Sequence, residues 1–107
     1  MLPKKNRVSA KEVGQLFKGG SFLSSPDLTF KYLKSNNKTA KISFIASKNI
    51  AKLAIKRNML RRQGYLALAK YINQFPIGIT GVFIFKKYQD NILALEDEIK
   101  NIFDKIN

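Results

Sequence analysis

The feature that most constrains the fold is a run of four consecutive apolar residues from Val82 to Phe85. The run has the length of a β-strand and contains no polar side chain, a pattern typical of a strand in the middle of a sheet. Residues 28–34 alternate instead. The apolar side chains of Leu28, Phe30 and Tyr32 are separated by the polar side chains of Thr29 and Lys31. This alternation predicts a second strand with one buried face and one polar face.

Polar, turn-forming residues at 35–38 follow that strand, and a third strand is predicted at residues 42–47. The short connection predicts that the two strands pair antiparallel as a hairpin. Its polar face would comprise Thr29, Lys31, Ser43 and Ser47. This face is either ordinary solvent surface or the floor of a binding groove, and the residues alone leave both interpretations open.

Two helices are predicted before the central strand. Ser9 and Glu12 form a capping box, in which each side chain can hydrogen-bond the backbone amide of the other residue. The glycines at positions 19 and 20 end this short helix. A longer helix is expected from about residue 54 to residue 73, with basic first turns and apolar later turns.

The last helix has the clearest pattern. Between Ile92 and Ile106 apolar residues recur at three- and four-residue spacing, and Glu96, Asp97 and Glu98 are expected to point outward. The expected order is helix, two strands, helix, strand, helix. The chain has 107 residues and no linker, repeat or low-complexity stretch, so we expect one domain covering residues 1–107.

The charge of the chain is strongly positive and unevenly placed. Twenty lysines and arginines against seven acids give a formal net charge of +13, and no carboxylate lies between Asp27 and Asp90. A folded protein that carries such self-repulsion usually has a polyanionic partner. Nucleic acid is the leading candidate and an anionic membrane surface the second. The hydrophobic content of 45% argues against a disordered basic tail.

The charge is densest from Lys48 to Arg62, a stretch called the basic segment below, which holds six cations and no acid. Lys52 and Lys56 are four residues apart, a spacing at which like charges destabilise a helix unless phosphates neutralise them. The alternative is a basic face that is merely solvated. The candidate RNA-binding residues are Lys48, Lys52, Lys56, Arg57, Asn58, Arg61 and Arg62.

Aromatic rings provide a second way to hold RNA, because unpaired bases stack on them. The candidates are Phe17, Phe22, Phe30, Tyr32 and Tyr65. Most aromatic side chains are core residues, and alternation puts Phe30 and Tyr32 on the buried face of their strand. We therefore single out Phe17 alone as a candidate stacking residue, with core packing as its alternative role.

Residue types that carry catalysis are scarce. The chain has no histidine and no cysteine, and no serine lies near a plausible general base, so we expect no catalytic residue and no metal ligand in it. Consecutive acids on a helix point in different directions and do not chelate one metal. The lack of cysteine, of a signal-peptide core and of a membrane-length apolar run predicts a cytoplasmic protein with no membrane or small-molecule partner.

Residues 54–62 read Ala-Ile-Lys-Arg-Asn-Met-Leu-Arg-Arg and follow Ser-Lys at residues 47–48. Together with residues 5–8, Phe17 and the closing helix, they resemble the protein subunits of bacterial ribonuclease P over nearly the whole chain. In that family the motif is approximately Ala-Val-x-Arg-Asn-Arg-x-Lys-Arg. Met59 replaces the second arginine of the central triplet, and Val13 stands where an aromatic residue is expected.

The resemblance implies an α+β fold, a two-layer α/β sandwich of order α-β-β-α-β-α with a left-handed βαβ crossover, as in the second domain of a small-subunit ribosomal protein. It implies an RNA-binding subunit of ribonuclease P, a ribonucleoprotein endonuclease and hydrolase of tRNA processing. There a catalytic RNA with bound Mg²⁺ removes the 5′ leader from precursor tRNA.

The resemblance also assigns roles to residues at matching positions. The catalytic RNA would be contacted by Arg57, Asn58, Arg61 and Arg62. The cleft for the single-stranded leader would be lined by Phe17, Thr29, Lys31 and Ser47. The alternatives are a ribosomal or general nucleic-acid-binding protein, to which the charge alone points, and a stand-alone nuclease, for which candidate catalytic residues are lacking.

Overall fold

The sheet is built around the strand that contains the apolar run. The computed structural model describes residues 14, 18–34, 40–72 and 78–106. The elements are β1 (Ser21–Ser24), β2 (Leu28–Lys34), β3 (Lys41–Ile45), α1 (Ala54–Ala69), β4 (Ile79–Phe85) and α2 (Ile92–Ile106). The strand order is β1-β2-β4-β3, and β4 is buried at every position except Ile84. The predicted central strand is confirmed.

The predicted hairpin between β2 and β3 is wrong, because β4 lies between them. β2 runs antiparallel to β4, whereas β3 runs parallel to it. A strand as apolar as β4 would be exposed at a sheet edge, so it takes the centre and the two half-polar strands flank it. Two strand spacings of about 4.8 Å each therefore separate β2 from β3.

Three aromatic rings packed against one another form the middle of the core. Phe30, Phe83 and Phe44 are cross-strand neighbours on β2, β4 and β3, with ring centroids 4.5 Å and 5.0 Å apart. The helices α1 and α2 cover this face of the sheet, contributing buried residues such as Leu60 and Ile99. The polar face predicted for β2 therefore lies on the opposite side, away from the helices.

α1 connects two parallel neighbouring strands, so β3, α1 and β4 form a βαβ crossover. The helix packs closely on the sheet at Gly64, where a Cβ atom would lie 2.6 Å from the ring of Phe44. Tyr65 contacts the same ring edge-on at 5.1 Å, and its hydroxyl oxygen accepts a hydrogen bond from the Phe44 amide at 3.3 Å. Tyr65 is thus a packing residue rather than a free stacking platform.

α2 begins at a side-chain cap. The Asn91 Oδ1 atom accepts hydrogen bonds from the amides of Leu93 at 2.9 Å and Ala94 at 3.2 Å, which satisfies amides that have no partner within the helix. The predicted outward orientation of the acidic stretch is wrong for two of its three members. Glu96 and Glu98 are buried, and only the middle acid, Asp97, is exposed.

The described order is β-β-β-α-β-α, and the α+β class predicted from the resemblance is confirmed. β1 was not predicted, because its four residues carry no alternating pattern. The predicted first helix lies outside the described residues apart from Gly14, Lys18 and Gly19, all of which are helical. The described part of α1 ends at Ala69, four residues before the predicted end. Among the described residues, no helix is long and apolar enough to cross a membrane.

Candidate RNA-binding surface

The basic segment forms an ordered turn followed by the first turns of α1. The Ser47 carbonyl oxygen accepts hydrogen bonds from the amides of Ile50 at 3.1 Å and Ala51 at 3.2 Å. Leu53 stands at the N-terminus of the helix, and its carbonyl accepts the first helical hydrogen bonds. The cations that this arrangement exposes to solvent are Lys48, Lys52, Lys56, Arg61 and Arg62.

Arg57 is the half-buried cation of the basic segment, and it fastens the turn to the helix. Its Nη1 atom donates hydrogen bonds to the carbonyl oxygens of Ala51 at 3.0 Å and Lys52 at 2.8 Å. A guanidinium group has five donors in one plane, so bonds from one nitrogen leave others to fork onto a phosphate. Arg57 therefore has a structural role that the sequence did not reveal, beside its predicted role in RNA binding.

Asn58 and Arg61 lie one turn apart on the exposed surface of α1, where the Arg61 Nη2 atom donates a hydrogen bond to Asn58 Oδ1. This bond orients the guanidinium along the helix. The structure thus brings together two of the residues to which the resemblance assigns contact with RNA.

The N-terminal end of α1 carries positive charge only. The first turn contains no acidic residue, and Leu53 provides no side-chain cap. Cations beside the positive end of a helix dipole are unfavourable by roughly 0.3 to 1 kcal/mol each. The ion pair found within the described residues, Lys70 Nζ to Glu96 Oε1 at 3.3 Å, lies at the other end of the helix. A bound polyanion would offset the repulsion at the N-terminal end.

A second group of polar side chains lies on the face of the sheet turned away from α1 and α2, around the fully buried Val82. The strand register places Phe22, Lys31, Val82 and Ser43 side by side in one row across the four strands. Side chains paired in this way point to the same face of a sheet. Thr29 lies two residues before Lys31 on β2 and shares that face. Thr29, Lys31 and Ser43 therefore share one face of the sheet, but Val82 of β4 separates Lys31 from Ser43, which the predicted hairpin would have made neighbours.

The remaining residues of the predicted cleft are placed differently. β3 ends two residues before Ser47, which lies in the turn of the basic segment rather than on the sheet. Phe17 lies outside the described residues. Phe22, at the β1 edge of the row, has 66% of its surface exposed and is the aromatic residue that the sequence analysis passed over. Its strand was not predicted, so its place beside Lys31 could not be inferred.

Two carboxylates outside the basic segment, those of Glu98 and Asp27, are engaged in structural contacts. Glu98 Oε1 accepts hydrogen bonds from Ser25 Oγ at 2.5 Å and from the Asp27 amide at 2.7 Å. Burial raises the pKa of Glu98 above its ordinary value, whereas a hydrogen bond from Gln89 is the main cause that lowers the pKa of Asp27. Within the described part of the chain, no three His, Cys, Asp or Glu side chains converge on a possible metal position.

Comparison with known proteins identifies the family of the chain. The sequence model of the family described as Ribonuclease P matches residues 2–107. The chain belongs to the ribonuclease P family. A curated relative, the ribonuclease P protein component of Pseudanabaena sp. (strain PCC 6903), is 30% identical over 109 residues, which cover 98% of this chain and 94% of the relative.

Solved structures of ribonuclease P proteins share the fold. The protein from Thermotoga maritima superposes with a TM-score of 0.83 at 17% identity, covering 94% of this chain and 97% of that one. The protein from Staphylococcus aureus superposes with a TM-score of 0.81 at 10% identity, covering 95% of each chain. The sheet order and the crossover through α1 are therefore common to ribonuclease P proteins whose sequences have diverged widely.

Proposed function

We propose that this chain is the protein component of ribonuclease P, which binds the catalytic RNA of that enzyme and assists removal of the 5′ leader from precursor tRNA. Family membership over residues 2–107 is the observation that carries the proposal. The exposed basic segment at the start of α1 supports it. The enzyme is a ribonucleoprotein endonuclease, in which the RNA hydrolyses one phosphodiester bond and this chain supplies no catalytic group.

The basic segment is the proposed contact with the catalytic RNA. Each cation that neutralises a phosphate releases condensed counterions, so binding weakens steeply as salt rises. Arginine can bind phosphate through two parallel hydrogen bonds, and the oriented side chains of Arg57 and Arg61 suit such contacts. The proposed contact residues are Lys48, Lys52, Lys56, Arg57, Asn58, Arg61 and Arg62.

The polar face of the sheet is the proposed site for the leader, which is single-stranded. Thr29 and Lys31 lie side by side on β2 and offer a hydroxyl group and a cation on one surface. Such groups bind a sugar-phosphate backbone without reading its sequence, as leaders of different sequence require. The proposed set also includes Phe17 and Ser47, and Ser47 lies in the turn that follows β3 rather than on the sheet.

Magnesium belongs to the partner RNA in this proposal. The carboxylates of Glu96 and Glu98 are committed to Lys70 and to the β1–β2 turn, so they do not form an oxygen cage for Mg²⁺. The metal would be bound mainly by oxygen atoms of the catalytic RNA. The chain's own contribution is to bind and position RNA, in the cytoplasm, where precursor tRNA is processed.

The decisive experiment is cleavage of precursor tRNA by the cognate catalytic RNA at low Mg²⁺, with and without this protein. We expect the protein to raise the cleavage rate, because it neutralises phosphates that Mg²⁺ must otherwise screen. An unchanged rate across a range of protein concentrations would contradict the proposal.

The net charge of +13 by itself also favours a general RNA-binding module of the ribosomal kind. Co-purification separates the two functions. Recovery of one structured RNA of ribozyme size supports the ribonuclease P component, whereas recovery of ribosomal RNA supports the general module.

A further inference from the structure

An aliphatic stripe runs along the outer side of α1. It consists of Ile55, Met59 and Leu66, called the outer stripe below, which are spaced four and seven residues apart and so share one face of the helix. Ile55 is 74% exposed and Leu66 is 50% exposed, while Met59 is half-buried. The side of α1 that packs into the core carries different residues, among them Leu60 and Ala67.

The core of this chain does not account for the outer stripe. A helix that packs on one side only is expected to be polar on the other side, whereas α1 has apolar residues on two sides. Single exposed leucines are ordinary, but among the described residues three of the six large exposed hydrophobics belong to the basic segment or to the helix it begins. These three are Leu53, Ile55 and Leu66.

Cations lie beside the outer stripe, and they indicate what kind of partner it binds. Arg62 lies on the same face, between Met59 and Leu66, and Lys56 lies on its flank. The partner must therefore be strongly anionic and must also present flat apolar surfaces. An RNA segment with unpaired nucleotides has both properties, because its bases turn out of the stack while its phosphates stay close by. Paired RNA keeps its base faces covered.

We propose that the outer stripe packs against the faces of unpaired nucleotides of the partner RNA, while Arg62 and Lys56 bind the neighbouring phosphates. Aliphatic side chains make such contacts in other nucleic-acid complexes, where Leu, Ile and Met wedge against base steps. This inference rests on the proposed function and adds to it a contact that is not ionic. Met59, which replaces an arginine of the family motif, is then part of an apolar contact rather than a lost phosphate contact.

The test is the salt dependence of binding to the cognate catalytic RNA alone, with no precursor tRNA present. The variant is the double substitution Ile55→Ala with Leu66→Ala, which keeps helix propensity high and leaves every charge in place. We expect affinity to fall about tenfold at every salt concentration, because the lost contact is apolar, with an unchanged slope of log affinity against log salt. Circular dichroism verifies that the helix content is retained.

Leu93→Ala is the matched control, since Leu93 is 71% exposed but lies on α2, away from the basic segment. It should bind as the wild type does. Wild-type affinity in the double variant would overturn the inference and would assign the stripe to a protein partner or to solvent. A slope of log affinity against log salt that is shallower by about one would also overturn it, because the lost contact would then be ionic. If the wild type fails to stimulate precursor cleavage, the proposed function fails instead, which keeps the two conclusions separate.

Discussion

The Nη1 atom of Arg57 donates a hydrogen bond to the carbonyl oxygen of Lys52 at 2.8 Å, which closes the turn of the basic segment onto α1. One side chain thus shapes the surface on which it is predicted to bind RNA. A second bond from the same atom, to Ala51 at 3.0 Å, strengthens this connection. The structural and the RNA-binding roles of Arg57 can be separated by measuring stability and salt dependence together.

We expect Arg57→Ala to lower the free energy of unfolding by about 1 kcal/mol, because two carbonyl groups lose a charged donor. It should also weaken RNA binding and reduce the salt slope by about one. Denaturant unfolding and RNA binding at several salt concentrations measure the two effects. Arg61→Ala is the control, since the recorded hydrogen bond of Arg61 goes to the exposed Asn58. Arg61→Ala should reduce the salt slope of RNA binding as Arg57→Ala does, but it should leave the free energy of unfolding unchanged. A loss of stability equal to that of Arg57→Ala would contradict the assigned roles.

Gly64 is predicted to be intolerant of any side chain. A Cβ atom there would meet the ring of Phe44 at 2.6 Å, and that ring is held between Phe83 and Tyr65. Gly64→Ala should therefore lower the free energy of unfolding by about 1 to 2 kcal/mol, although alanine usually favours a helix.

Chemical denaturation measures this effect, and Gly14→Ala is its control. Gly14 is also helical, but no atom of the described residues lies within 4 Å of a Cβ placed there. Gly14→Ala should leave stability equal or raise it by up to about 1 kcal/mol. Equal behaviour of the two alanine variants would show that the ring of Phe44 moves aside at little cost.

Glu98 should make stability depend on pH in an unusual direction. Burial raises its pKa above the ordinary value of 4.5, so the folded state binds this proton more tightly than the unfolded state does. Its contribution to stability therefore grows as pH falls from neutrality towards 4.5 and is lost as pH rises through the folded pKa. Glu98→Gln keeps an acceptor for Ser25 but removes the titration.

Unfolding free energies of the wild type and Glu98→Gln, measured between pH 7 and pH 4.5, should diverge in favour of the wild type as pH falls. Parallel curves would show that Glu98 does not titrate differently in the folded state. Asp27→Asn provides the opposite case. The pKa of Asp27 is lowered from 3.8, so the wild type should lose stability relative to this variant at pH values below 3.8.

The sequence predicts the elements whose signals are local. The apolar run in β4 requires a central position, and the spacing of Leu95, Ile99 and Ile102 requires a buried helix face, whatever the rest of the chain does. The pairing of β2 and β3 was wrong because a turn signal describes only nearby residues. It contains no information about β4, which follows β3 by more than thirty residues and displaces the expected partner.

In the candidate site, too, local features could be predicted from the sequence, whereas contacts between distant segments could not. Charge density identified the basic segment without any structure, because it depends on composition alone. The bonds of Arg57 to the turn, the burial of Glu98 against Ser25 and the neighbourhood of Phe22 and Lys31 all depend on how distant segments meet. Contacts of this kind have no signature in the spacing of residues, so they became visible only in the folded chain.

Phe22 and Lys31 are directly opposite each other on β1 and β2, on the face of the sheet that we propose binds the leader. We expect Phe22→Ala to weaken binding of leader-bearing precursor tRNA by at least about fivefold in the presence of the catalytic RNA, because a base loses roughly 1 to 3 kcal/mol of stacking on the ring. Mature tRNA, which has no leader, should bind as before. Tyr88→Ala is the control, an aromatic residue that is 45% exposed outside the sheet. Equal weakening of precursor and mature tRNA by Phe22→Ala would remove this face from the leader site.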